Sequence, residues 1–250
     1  MPTPVNHLTM AQELIESTRL LSSAQCLLEE ERGSFLLGHT APDVQMVSGQ
    51  PRHETHFYAI PPTSDVPAYR TFLAAHPALI RADRLDPSHA AFLAGYAAHL
   101  LADEKWWREI FYAFFGPDVQ WRSWRERIFL HNVLRTYLDR QDQARLGGGV
   151  REALMEADPQ GWLPFVDDEL LRVWRDLLVD QLRPGERILT AEVFAARMSV
   201  PADLVETALD SSEEMASIFR HIPPARLGAY RADVLGRSIR LLNKYLGGQR

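Results

Sequence analysis

The chain is predicted to be all-α. Apolar residues recur at helical spacing along nearly all of it, strand-like alternation is scarce, and Pro and Gly punctuate the periodic stretches. Its 250 residues, 46% apolar and 24% charged, suffice for one large domain or two small ones with a sizeable core.

In chain order, Thr9 is placed to cap a helix from about Met10 to Glu31, with Leu14, Ile15, Leu21 and Leu28 on one broad face and Gly33 closing it. The stretch from Ser34 to Pro67 opens as a short helical turn and becomes a long loop rich in Pro, Ser and Thr. Such a loop inside a compact domain is usually functional or disordered, and its His and acidic residues favour function. A helix runs from Pro67 or Ala68 to about His76, a long one from Pro87 to about Phe115, and another from Trp121 to Leu138. Three consecutive glycines in ARLGGGVRE mark a linker, because glycine extends a helix only at a cost. Beyond it, helices are expected at Asp167 to Leu182, Thr190 to Arg197, Pro201 to about Phe219 and Ala225 to Leu246. Thr190 is read as a cap and Pro201 as a first-turn residue.

The net charge of -6 leaves no footprint for a nucleic acid duplex. The single cysteine, Cys26, excludes disulfide scaffolds and Cys-based zinc knuckles, so any metal here is held by His, Asp and Glu. Those donors suit Zn, Mn or Fe. MPTPVNHLTM has neither a basic n-region nor a long apolar h-region. No apolar run reaches the roughly 18 residues of a membrane span, so a cytoplasmic protein without transmembrane segments is expected.

Eight of the nine histidines precede residue 132. His99 and Asp103, four apart on a predicted helix, share a face with Tyr96, Leu100 and Trp107 that points at the core. Their tips converge either as ligands of one ion or as a buried hydrogen-bonded pair. Asp43 follows a proline at an apolar helix end. In RHETHF, His53 and His56 are three apart, with His56 beside Phe57 facing inward; the alternative is a solvated loop. His7 precedes a helix start, where a lone histidine is ordinarily a surface residue. His131 lies mid-helix among apolar residues, as a ligand or as a core histidine bonded to a neighbour. Eight aromatics between Trp106 and Trp124 read chiefly as packing around a helix corner. No G-x-S-x-G, P-loop or G-x-G-x-x-G occurs, and HETHF is not H-E-x-x-H.

Taken in order, a histidine near the N-terminus, FLLGHTAPD, THF and GYAAHLLAD resemble the zinc-dependent phospholipase C family over roughly residues 5–140. The resemblance implies an all-α bundle, related in fold to the P1-type nucleases, with a metal-binding helical core over 1–146; the helices over 150–250 lie outside the resemblance, their role open, and are expected to pack on that core as one globular unit. It implies metal ligands at His7, Asp43, His56, His99, Asp103 and His131, with Asp103 bridging two ions. Asp43 would also be the catalytic base for a metal-bound water attacking a phosphodiester, either a small phosphoester or a phospholipid headgroup. In such a mechanism Arg122, Arg125 or Arg135 would hold the phosphate, the alternative for any single one being a surface role. Arg135 stands where the family's later His-x-x-x-Glu pair has its glutamate, and Trp106 and Trp107 occupy a stretch where a further histidine is expected. One or two ions are therefore expected rather than three. The competing reading is a non-catalytic helical binding or scaffold module with a reduced metal site.

Overall fold

A computed structural model describes residues 1–183 and 189–247, and these are helical with no strand among them. The helices are α1 (Pro4–Ile15), α2 (Ser22–Glu30), α3 (Arg32–Gly38), α4 (Gln45–Ser48), α5 (Arg52–His56), α6 (Ala68–Ala75) and α7 (Pro87–Trp106). A π-helical turn, Trp107–Phe111, leads into α8 (Tyr112–Phe115). Then come α9 (Trp124–Arg145), α10 (Val150–Glu156), α11 (Asp168–Gln181), α12 (Thr190–Met198), α13 (Ala202–Asp210), α14 (Ser212–His221) and α15 (Pro224–Leu246). No helix among the described residues is long and apolar enough to cross a membrane.

The central element is α7. Nearly all of its side chains are buried, on every face, because α3, α6 and α15 pack around it. A helix in that position must be apolar all round, which is how its sequence reads from Ala90 to Ala102. Where α3 crosses α7 the two backbones touch. A Cβ on Gly95 would overlap the Phe35 carbonyl oxygen, and one on Gly38 would overlap the Phe92 carbonyl oxygen. Only glycine permits that approach.

Two apolar cores flank this axis. One gathers α1 to α3, most of α7, α10, α11 and the end of α15. The other gathers the end of α7, α9 and α12 to α14. The helices after Val150 thus contribute to both.

Several boundaries differ from those expected. The first helix starts at Pro4 with Thr3 as its cap, not at Thr9: Thr3 Oγ1 accepts from the Asn6 amide, and the Thr9 hydroxyl instead donates to the Val5 carbonyl. His7 therefore lies inside α1. The predicted single helix to Glu31 is broken between Ile15 and Ser22, and Gly33 lies within α3, where the Ala153 carbonyl abuts its bare Cα. The helix expected from Pro201 to Phe219 is two, because Ser211 leaves the helical conformation and caps α14 through the Glu214 amide. Thr190 is the first residue of α12 rather than its cap, and its hydroxyl donates to Asp139 at 2.6 Å.

Polar bonds tie α1 to α9: Thr3 donates to Asp139 and Asn6 to Asp142. Burial drives the Asp139 pKa up to about 7, against the pull of the Thr190 and Thr3 hydroxyls and the Arg135 charge. A carboxyl whose folded pKa is raised stabilises the fold fully below its unfolded value of 3.8, and that contribution is lost as pH rises through about 7. Asp139→Asn should remove that part of the decline in urea-unfolding free energy between about pH 4 and 7. Gly95→Ala should cost about 1–3 kcal/mol or more in the same assay, since neither backbone can yield without unpacking α3.

Candidate metal centre

The α3–α7 crossing sets the geometry of the buried polar cluster beside it. His99 and Asp103, one turn apart on α7, are 0% and 1% exposed. His99 Nδ1 lies 2.9 Å from the His39 carbonyl oxygen. A carbonyl can only accept, so Nδ1 carries the proton and the opposite nitrogen, Nε2, turns inward. That is the orientation a backbone carbonyl imposes on a ligating imidazole.

His56 is aimed in the same way. It ends α5, which Phe57 closes in the left-handed conformation (φ 57°) with its ring among Phe72, His76 and Phe165. The Thr55 hydroxyl donates to the Arg52 carbonyl and lies 3.0 Å from His56 Nδ1, which leaves it an acceptor for the Nδ1 proton. His56 Nε2 therefore also faces inward, 3.4 Å from His99 Nε2, 3.2 Å from Asp103 Oδ2 and 3.5 Å from Asp43 Oδ1.

From α1, the His7 ring stacks on His99 with centroids 3.8 Å apart, and its Nε2 lies 3.4 Å from Asp103 Oδ1. His39, at the end of α3, completes the group, its ring 5.3 Å from that of His7. The Trp174 indole N–H braces this corner from α11, donating to the Thr40 carbonyl at 3.1 Å.

Two three-ligand groups result, His7–His39–His99 and Asp43–His56–His99, which share His99; within each, one ligand atom per residue lies within 4.8 Å of the others. Asp103 turns Oδ1 towards His7 and Oδ2 towards His56, one oxygen to each group. A tetrahedral zinc site with bonds of about 2.0–2.1 Å places its nitrogens about 3.3–3.4 Å apart. The spacings around His56 match that edge. Both ring nitrogens of His7, Nδ1 of His39 and Oδ1 of Asp103 are buried without a hydrogen-bond partner. Buried polar atoms left without partners are costly, and a cation bound by the acceptors among them relieves the cost. The residues present thus fit a metal ion.

The electrostatics agree. Burial, with the His99 charge, lowers the His7 pKa to about 4; burial, with His7 and His99, holds His39 well below the ordinary range. Both are neutral, ligand-ready imidazoles near pH 7. His99 is raised, since the carboxylates of Asp103 and Asp43 outweigh its burial. Asp103 is held well below the usual carboxylate range by His56, His7 and His99, against its own burial. For Asp43 burial is likewise outweighed, by the His56 bond and the His99 charge, and its pKa falls to about 2.

One cation is already in place. Arg52 donates to Asp103 Oδ2 at 2.6 Å and to the Tyr58 hydroxyl at 2.8 Å, while its Nε and a terminal nitrogen are buried with no partner. It also lines a cleft of about 950 Å³ with Tyr58, Ile60 and Val66.

The structure thus brings together His7, Asp43, His56, His99 and Asp103, and adds His39. His39 was not among the expected ligands, although it sits four residues before Asp43. His53 is exposed. His131 lies apart, which corrects its assignment as a ligand. Its Nε2 accepts the Trp106 indole N–H at 3.1 Å, and Phe111 and Phe115 pack on its ring. Arg122 and Arg125 are exposed. Arg135 points its guanidinium over the Phe194 ring at 4.2 Å and donates to Asn132. No protein-family model, curated protein or solved structure matches the chain.

Elemental analysis of protein purified without chelators should find bound metal. His99→Ala and Asp103→Ala should each lower it about tenfold or more, whereas His131→Ala leaves it unchanged; circular dichroism checks that each variant is folded.

Proposed function

We propose that the chain is a metal-dependent phosphodiester hydrolase resembling the zinc-dependent phospholipases C, in an all-α bundle of that kind with further C-terminal helices. Zn is the favoured ion, with Mn and Fe suited to the same donors, and one or two ions are held. The substrate is a small phosphoester or a phospholipid headgroup. The observation that carries the reading is the convergence of four imidazoles and two carboxylates in a pocket where several of their polar atoms lack any partner.

His7 and His39 would form one half-site and Asp43 and His56 another, with the single free nitrogen of His99 completing one of them and Asp103 between the groups. When bound, the metal supplies Lewis acidity, acidifying water and drawing charge from the phosphoryl oxygens. The protein's own residues do the rest. Asp43 is the most open member of the cluster, its side chain 19% exposed, and it stays ionised at neutral pH. It accepts a hydrogen bond from the attacking water and turns a lone pair of that water towards phosphorus. A carboxylate with a pKa of about 2 orients such a water more than it stores its proton.

Arg52 faces the developing negative charge on the phosphate from the cleft side. It takes the part foreseen for Arg122, Arg125 or Arg135, because its guanidinium touches the cluster at Asp103. A preorganised positive charge there, held by Asp103 and Tyr58, lowers the barrier without having to reorganise during the reaction.

The test is turnover of bis(p-nitrophenyl) phosphate and of a short-chain phosphatidylcholine by metal-replete protein. Asp43→Asn should lower kcat per bound metal ion by about 100-fold or more, beyond any loss of metal that the missing carboxylate causes. Metal bound at full occupancy with no turnover of any phosphodiester would overturn the hydrolase and leave a metal-holding helical module.

A further inference from the structure

The face of α7 turned away from the metal cluster borders a second cavity. Successive residues of a helix are rotated by about 100°, so Leu101 and Lys105 project roughly opposite to His99 and Asp103. They line a cleft of about 730 Å³, closed on one side by α6 and on the other by the last turns of α15. That volume suits a small-molecule ligand.

The lining has two characters. Leu73, Ile80, Leu101 and Leu241 make an apolar floor between Tyr69 and Tyr245. The Tyr245 hydroxyl is anchored to the Leu79 carbonyl at 2.8 Å, so that wall is fixed. Around the floor stand seven Lys and Arg side chains and only three Asp and Glu, in a chain whose net charge is -6.

Four of these cations are matched. Arg81 pairs with Asp83, Arg108 with Glu104, Arg237 with Asp233, and Lys105 with Glu109 and Asp233. Arg70, Arg240 and Lys244 have no carboxylate partner among the described residues. Arg237, Arg240 and Lys244 follow one another at spacings of three and four along one face of α15. Like charges at that spacing repel, and Asp233 relieves only the first. Three unmatched cations over an apolar floor form a surface complementary to an anion with an apolar body.

We propose that this cleft is a binding site for an amphiphilic anion, a phosphate or carboxylate head joined to an apolar chain. Arg70, Arg240 and Lys244 take the head, and Leu73, Leu101 and Leu241 take the chain. The site is separate from the metal cluster and does not depend on any activity there.

The test is calorimetric titration of the purified protein with octyl phosphate below its micelle concentration, with inorganic phosphate, and with the neutral octyl glucoside. Octyl phosphate should bind at least about tenfold more tightly than either of the others, because only it satisfies both halves of the cleft. The double variant Arg240→Glu, Lys244→Glu should weaken octyl phosphate binding by about tenfold or more while bound metal and the circular dichroism spectrum stay unchanged. Both side chains are exposed and have no carboxylate partner among the described residues, so the fold does not rest on them. Octyl phosphate binding that survives the double variant would place the anion elsewhere, including at the metal cluster, and overturn the proposal. So would octyl glucoside or inorganic phosphate binding equally well.

Discussion

The buried histidine and aspartate cluster depends on one steric fact, the contact of two helix backbones at Gly38 and Gly95. The crossing is close because neither residue has a Cβ, and its first consequence lies one residue on. The His39 carbonyl, left over where α3 ends, comes within 2.9 Å of His99 Nδ1. A terminal carbonyl that needs a donor and an imidazole that needs orienting satisfy each other. A larger residue at either glycine would part the helices and separate the two histidines before any ligand arrived.

The cluster built on that bond stores free energy. Four imidazoles and two carboxylates crowd together, all but Asp43 nearly closed to water, and several of their polar atoms find no donor or acceptor. Such a pocket is kept in shape by the apolar packing around it, with Trp174, Tyr96 and Thr55 bracing its rim, and not by its own contacts. The apolar cores on both sides of α7 supply the stability that this arrangement of acceptors subtracts.

The all-helical class was legible because periodicity is a local property, and α6, α11 and α15 begin and end close to where the pattern placed them. The breaks at Ile15 and Ser211 were not. Both interrupt stretches whose apolar spacing continues, and at Ser211 a local cap on the Glu214 amide ends one helix and starts the next. For the site, the spacing of His99 and Asp103 and the company of Asp43 and His56 could be read along the chain. His39 and Arg52 could not. His39 depends on a turn whose direction is set by the crossing with α7, and Arg52 on the short helix α5, which the Pro-rich composition of its neighbourhood concealed. His131 misled for a related reason: an apolar setting signals burial equally for a ligand and for a ring whose nitrogen is taken by an indole.

The bond between Arg52 and Asp103 bears on which ions the pocket admits. Asp103 is the most deeply buried carboxylate of the cluster, and part of its charge is already spoken for by the guanidinium. What remains is a donor set rich in nitrogen and poor in free anionic oxygen. Calcium and magnesium are hard ions that bind mainly through several oxygens, and a pocket of this composition gives them little. Borderline ions that take imidazole readily lose nothing by the same arrangement. For any ion that the cluster held, this one hydrogen bond would thus act as a filter on hardness, set by the electronic character of the remaining donors.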